Sequence, residues 1–176
     1  KFMIEDGALD EPKVEAAFGL HLWSDLEVGK VAVRPGPLLA YADSLEITIH
    51  GKGGHAAHPE QTVDSVLVAA YVITALQALV SRNVEPLKSA VVSITKVVAG
   101  STHNVIPGRA DLMGTVRCFD DDVHELLQRR IPEVVNSVCA AFDATAEIDY
   151  QLGYPVTKND PALTELVRRA AVKVLG

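Results

Sequence analysis

Twice between Leu45 and Leu152 a stretch of helical hydrophobic period is enclosed by stretches that alternate apolar and polar residues, an order that few folds accept. Leu45-Glu46-Ile47-Thr48-Ile49-His50 has period two and reads as a half-buried strand. Thr62 or Asp64 caps a helix predicted to about Leu79, along which Val63, Val66, Leu67, Ala70, Ile73, Leu76 and Leu79 recur at helical spacing. Ser89 to Val98 is rich in β-branched residues, and Asn104 to Arg117 sets Ala110, Leu112, Gly114 and Val116 on one side. Both are expected strands, joined by a turn over Gly100 to His103. Asp120, Asp121 and Asp122 place negative charge at the positive end of a second helix dipole. That helix is expected through Leu126, Ile131, Val134, Val138 and Ala141, with Pro132 opposing it from inside. Thr145 to Leu152 supplies a last strand.

The order β-α-β-β-α-β from Ser44 to Leu152 predicts an α+β domain of ferredoxin-like type, a four-stranded antiparallel sheet with both helices on one face. The 176 residues leave room for flanks on either side of it. Phe2 to Gly7 reads as the end of a helix, and Asp160-Pro161 as the start of another over Ala162 to Leu175. The chain therefore reads as a piece of something longer.

A formal net charge of −7 with no cluster of Lys and Arg argues against a nucleic-acid partner. The longest apolar run, Val66 to Val80, is interrupted by Tyr71, Thr74 and Gln77 and is expected to be too short to span a bilayer. Cys118 and Cys139 have no metal-ribbon spacing; a reducing cytoplasm is the default expectation, and a bridge between the two stays open.

Chemistry concentrates in three places. Gly51-Lys52-Gly53-Gly54-His55-Ala56-Ala57-His58-Pro59-Glu60 sets an imidazole on a glycine-rich turn directly after a strand, with Gly51, Gly53 and Gly54 expected to allow positive φ and close backbone approach. Phe18-Gly19-Leu20-His21-Leu22-Trp23 is an apolar, strand-like segment holding one histidine, a residue that on such a strand is usually a hydrogen-bonded core group. A divalent metal needs three or four ligands, and no H-E-x-x-H or Cys/His cluster completes a shell around His21. The third place is Thr102-His103-Asn104-Val105-Ile106-Pro107, followed by Arg117.

Gly19-Leu20-His21, Gly51 to Pro59, and Asn104-Val105-Ile106-Pro107 with Arg117 thirteen residues after Asn104 together resemble the metal-dependent amidohydrolase family of aminoacylases, hippurate hydrolases, auxin-conjugate hydrolases and carboxypeptidases. In that family a two-metal catalytic domain is interrupted by an inserted ferredoxin-like lid that dimerises. The resemblance implies that residues 44–152 are the lid, 1–43 the end of a first catalytic-domain segment and 153–176 the start of a second.

Carried over residue by residue, the resemblance implies that His21 is a metal ligand and that His55 reaches the dimer partner's active site to donate a hydrogen bond to the carbonyl oxygen. It makes Asn104 a substrate-positioning residue and Arg117 the clamp on the substrate's carboxylate. A planar guanidinium suits that task, because it can pair both carboxylate oxygens. Without the resemblance, Asn104 reads equally as a turn residue and Arg117 as an exposed strand residue, while His58 and His103 read as surface groups.

The implied whole enzyme carries two divalent metal ions (zinc, manganese, cobalt or nickel), acts on a small N-acyl amino acid such as a hippurate-like compound, and is a homodimer. The family's other metal ligands and its paired glutamates have no counterpart here, so these residues alone are expected to be inactive and to bind no metal. Two alternatives stand beside this reading. One is a carboxypeptidase or dipeptidase of the same family; the other is a non-catalytic ferredoxin-like dimerisation or ligand-binding module.

Overall fold

A computed structural model of the chain describes residues 2–176. In chain order the elements are α1 (Phe2–Glu5), β1 (Gly36–Leu39), β2 (Ala42–His50), β3 (Gly54–His55), a 3-10 turn (Pro59–Gln61), α2 (Ser65–Asn83), β4 (Ala90–Ala99), β5 (Val105–Ile106), β6 (Arg109–Cys118), α3 (Asp121–Ala141), β7 (Thr145–Tyr154), β8 (Thr157–Asn159) and α4 (Pro161–Leu175). They fall into two compact units, residues 37–157 and residues 1–36 with 158–176.

The larger unit holds the four-stranded sheet, in spatial order β4-β6-β2-β7, with every pair antiparallel. Counted along the chain and read from the β7 edge, its strands therefore lie fourth, first, third, second, the ferredoxin-like arrangement expected from the β-α-β-β-α-β order. Period-two burial along β2 sends Asp43, Leu45, Ile47 and Ile49 inward. They meet Ala110, Leu112 and Val116 of β6 and Val92 of β4, and both helices cover that face. The opposite face carries Glu46, Thr48, Asp111, Met113 and Lys96 around a shallow groove of about 310 Å³.

The helices form where expected, but their buried stripes are turned. In α2 the buried residues are Ser65, Val68, Ala69, Val72, Leu76 and Leu79, whereas Val66, Leu67 and Ala70 are exposed. The helix is apolar on nearly every side, so hydrophobic period alone does not set its phase; contact with the sheet does. In α3 the buried stripe is Val123, Leu127, Ile131, Val135 and Cys139, one step off the expected Leu126, Val134 and Val138, and Ala141 is exposed. Pro132 lies inside α3 without ending it. Asp64, not Thr62, caps α2, its Oδ1 accepting from the Val66 and Leu67 amides at 2.9 and 3.1 Å. At 19 residues α2 is longer than expected, and by length and composition alone it could cross a membrane; in this fold its buried face packs on the sheet.

The expected single strand from Asn104 to Arg117 is two strands, β5 and β6, parted at Pro107-Gly108. Proline lacks the amide hydrogen that a continuous ladder needs. Cys118 and Cys139 are free and buried, with no bridge between them. Burial, followed by the Asp43 carboxylate, pushes the Cys118 thiol up to about 11.

In the smaller unit, Asp160 caps α4 by accepting from the Ala162 and Leu163 amides at 2.8 and 2.9 Å, as its Asp-Pro start implied. Phe18 to Trp23, expected to be strand-like, forms no strand: Leu20 and Leu22 are 87% and 90% exposed. A strand exists only through a neighbour that satisfies its backbone, and none pairs with this segment among the described residues.

Candidate functional site

The turn after β2 is a small structure in its own right. Gly51 N donates to Gly108 O at 2.9 Å, and Lys52 and Val63 exchange two backbone hydrogen bonds, each of 2.9 Å. Gly54 and His55 then pair with Ile106 and Val105, and the Ala56 amide donates to the Asn104 carbonyl at 3.0 Å. The glycines serve close approach and not positive φ, which none of the three adopts. A Cβ on Gly51 would lie 2.2 Å from Val63 O, and one on Gly53 would lie 2.8 Å from Ile106 O.

This ribbon brings His55 and Asn104 together, and both are exposed. The Ala57 amide donates to His55 Nδ1 at 3.1 Å, so the proton of the neutral ring rests on Nε2. His55 therefore offers an N–H outward. Asn104 Oδ1 accepts from Thr102 Oγ1 at 3.4 Å, which leaves its amide hydrogens for a second group. His58 lies edge-on to His55 with ring centroids 5.9 Å apart, and its Nδ1 is 3.4 Å from Glu60 Oε1. It is a surface neighbour of the site, and His103 is exposed in its turn.

At the root of the turn, Arg109 Nε donates to both oxygens of Asp111, at 2.9 and 3.0 Å, and the Thr48 hydroxyl adds a bond of 2.8 Å. The Arg109 guanidinium, then the Thr48 hydroxyl, hold the Asp111 carboxyl below its ordinary range. His50 Nε2 is buried and 3.2 Å from Glu147 Oε1, but without hydrogen-bond geometry, so the two are paired by distance only.

Arg117 is elsewhere. Arg109 and Arg117, near the two ends of β6, are separated by eight residues of extended chain, about 27 Å at the usual strand rise. Arg117 Nη1 donates to the carbonyls of Asp43 (2.9 Å) and Val116 (3.0 Å), while its Nε and Nη2 have no partner among the described residues. That free edge is one of the two on which a guanidinium accommodates a carboxylate.

His21, in the smaller unit, is exposed; its Nδ1 is 2.5 Å from Leu22 O and its ring is tilted on Trp23 at 5.6 Å. Among the described residues no three His, Cys, Asp or Glu side chains converge, so they do not by themselves build a metal centre around it.

Sequence reading missed a buried polar cluster at the Arg117 end of the sheet. Asp43, 2% exposed, accepts from His124 Nε2, Tyr150 OH and the Gly153 amide at 2.6, 2.9 and 2.9 Å. The signal was parity: Asp43 shares the inward side of β2 with Leu45, Ile47 and Ile49.

Fold and site together define a ferredoxin-like domain that displays an imidazole N–H and a carboxamide from one end and a guanidinium edge from the other. A family model for the peptidase dimerisation domain matches residues 41–143. The chain belongs to the M20 peptidase dimerisation-domain family. It is 44% identical over 171 residues to the N-acetyl-L-cysteine deacetylase of Bacillus subtilis, covering 97% of this chain and 41% of that protein. The putative amidohydrolase YhaA of the same organism is 43% identical over 164 residues, 93% of this chain and 41% of that protein. Among solved structures, the YXEP protein of Bacillus subtilis, described as a dinuclear metal-binding M20 peptidase, superposes with a TM-score of 0.73 at 32% identity, covering 98% of this chain and 42% of that one. The chain thus spans about two-fifths of the length of the curated relatives it matches.

Proposed function

We propose that this chain provides the dimerisation lid, with adjoining catalytic-domain segments, of a metal-dependent amidohydrolase that cleaves the amide bond of N-acyl amino acids. The lid pairs with a second copy, and each active site is composite. His55 and Asn104 of one protomer complete the site of its partner, while Arg117 serves the site on its own side.

The observation that carries this reading is the separation along β6. In an N-acyl amino acid only the nitrogen and the α-carbon lie between the amide carbonyl and the carboxylate. Groups shown from opposite ends of a strand that is about 27 Å long between Arg109 and Arg117 are badly placed to grip both, whereas groups from two protomers can. Exposed apolar side chains give a second copy something to cover: Val66, Leu67 and Tyr71 on α2, and Val91, Val97 and Val98 on the edge strand β4.

In the reaction, His55 Nε2–H donates to the amide oxygen as negative charge develops there. The Ala57 amide keeps that proton on the outward nitrogen before substrate arrives, so no tautomer shift is needed. Asn104 offers its amide hydrogens beside it. Arg117 receives the carboxylate on its Nε and Nη2 edge. His21 is assigned to the metal centre of the whole enzyme, whose other ligands and whose activation of water rest on groups outside these residues.

The test is subunit complementation in the full-length enzyme. His55→Ala and Arg117→Ala homodimers should each lose turnover of N-acetyl amino acids, His55→Ala by about 10²–10³. Mixed dimers of the two should regain one working site. No recovery in confirmed heterodimers would refute the composite site, and full turnover by His55→Ala would refute the donor.

A further inference from the structure

Asp43 is the only charged residue with a buried side chain among the described residues, and it occupies a place where the pattern of β2 calls for an aliphatic one. A carboxylate in that position is strongly unfavourable unless fully partnered. Here it is partnered from two other elements: His124 from α3, and Tyr150 with the Gly153 amide from β7. His124 is itself locked, with its ring stacked on Tyr41 at 3.9 Å and its Nδ1 2.9 Å from Gln128 Nε2.

The cluster sits on an irregularity of the sheet. Ala42 pairs with Tyr154 and Ser44 with Gln151, so Leu152 and Gly153 both face Asp43. The chains approach there so closely that a Cβ on Gly153 would lie 1.8 Å from Ala42 O. The same Asp43 points its backbone carbonyl at the other neighbouring strand, where it accepts from Arg117 Nη1 and Thr115 Oγ1, both at 2.9 Å.

We infer that Asp43 is a positioning residue for Arg117, its buried carboxylate fixing the bulge and the bulge fixing the carbonyl that orients the guanidinium. With Nη1 committed to the carbonyls of Asp43 and Val116, rotation of the guanidinium is blocked and the Nε and Nη2 edge is the one presented. A carboxylate then meets a pre-oriented fork and not a mobile cation. This inference rests on the reading of Arg117 as the carboxylate clamp.

The experiment is a double-mutant cycle in the full-length enzyme, with KM and kcat measured on an N-acetyl amino acid for wild type, Asp43→Asn, Arg117→Ala and the pair. Asp43→Asn should raise KM about tenfold, the effect of one charge-assisted hydrogen bond, and leave kcat within about twofold. In the Arg117→Ala background it should add nothing. A wild-type KM in Asp43→Asn, or the same rise in both backgrounds, overturns the positioning role while leaving the clamp intact. An unchanged KM in Arg117→Ala overturns the clamp, and the positioning role falls with it. If Asp43→Asn does not fold, Tyr150→Phe and His124→Gln each remove one partner of the carboxylate and are read by the same rule.

Discussion

Gly51 is where the fold hands His55 its position, and Gly51→Ala tests that link. The added Cβ would stand 2.2 Å from Val63 O, 3.2 Å from Val63 C and 3.3 Å from Ser65 N. All three are backbone atoms, so no rotamer change relieves the clash. The facing segment at Val63 must retreat by on the order of 1 Å to reach ordinary contact. That displacement breaks the two 2.9 Å hydrogen bonds between Lys52 and Val63, together about 2 kcal/mol. Restricting the unfolded chain returns about 0.4–1 kcal/mol. The net loss is about 1–1.5 kcal/mol, which for a unit of this size lowers Tm by roughly 4–6 °C. Scanning calorimetry reads the loss directly. Gly19→Ala is the control, because a Cβ there meets nothing within 4 Å. Turnover of the full-length enzyme should fall with Gly51→Ala as His55 moves. A Tm within about 1 °C of wild type would refute the close-approach argument.

Other expectations follow from the same structure. Nitrogen-15 NMR of the His55 ring at neutral pH should find the proton on Nε2 and an acceptor shift at Nδ1; a mixture of tautomers would show that the Ala57 amide does not hold it. The Asp111 carboxyl is held low by Arg109 and Thr48, so its stabilising contribution is present above the ordinary carboxylate range and lost as pH falls through its folded pKa. The urea midpoints of wild type and Asp111→Asn should therefore differ at neutral pH and converge in acid, with a small gap because Arg109 is 62% exposed; a gap independent of pH counts against the pairing. Cys118, pushed up to about 11, and Cys139, also raised by burial, should resist iodoacetamide at about pH 8 until the chain is unfolded; labelling in the folded state would contradict their burial.

Strand and helix identities were legible because each element of the larger unit advertises its period, and the β-α-β-β-α-β order admits one economical sheet. The phases of α2 and α3 were not. In α2 almost every side is apolar, and which side is buried depends on where Leu45, Ile47 and Leu112 leave space, a tertiary fact. The division of β5 from β6 was written in Pro107-Gly108, but its purpose was not, because β5 exists to pair with a two-residue strand at His55. For the same reason His55 and Asn104, about fifty residues apart in sequence, could be joined beforehand only through a family resemblance. The Asp43 cluster was half legible: parity places Asp43 inward, yet nothing local announces that His124 and Tyr150 will meet it.

Seen from β6, these features form one device. Its first residues meet the turn that shows His55 and Asn104, and its last residues hold Arg117 against the Asp43 carbonyl. Between them lie ladder hydrogen bonds and a packed face, a stiff spacer that sets the proposed oxyanion donor and the proposed carboxylate clamp at opposite ends of one protomer's sheet. A single-protomer enzyme gains nothing from building both groups at such a distance. Under the proposed reading two protomers do, because each sheet would reach a neighbour's site with one end while its other end serves its own, and dimerisation would then be a condition of catalysis.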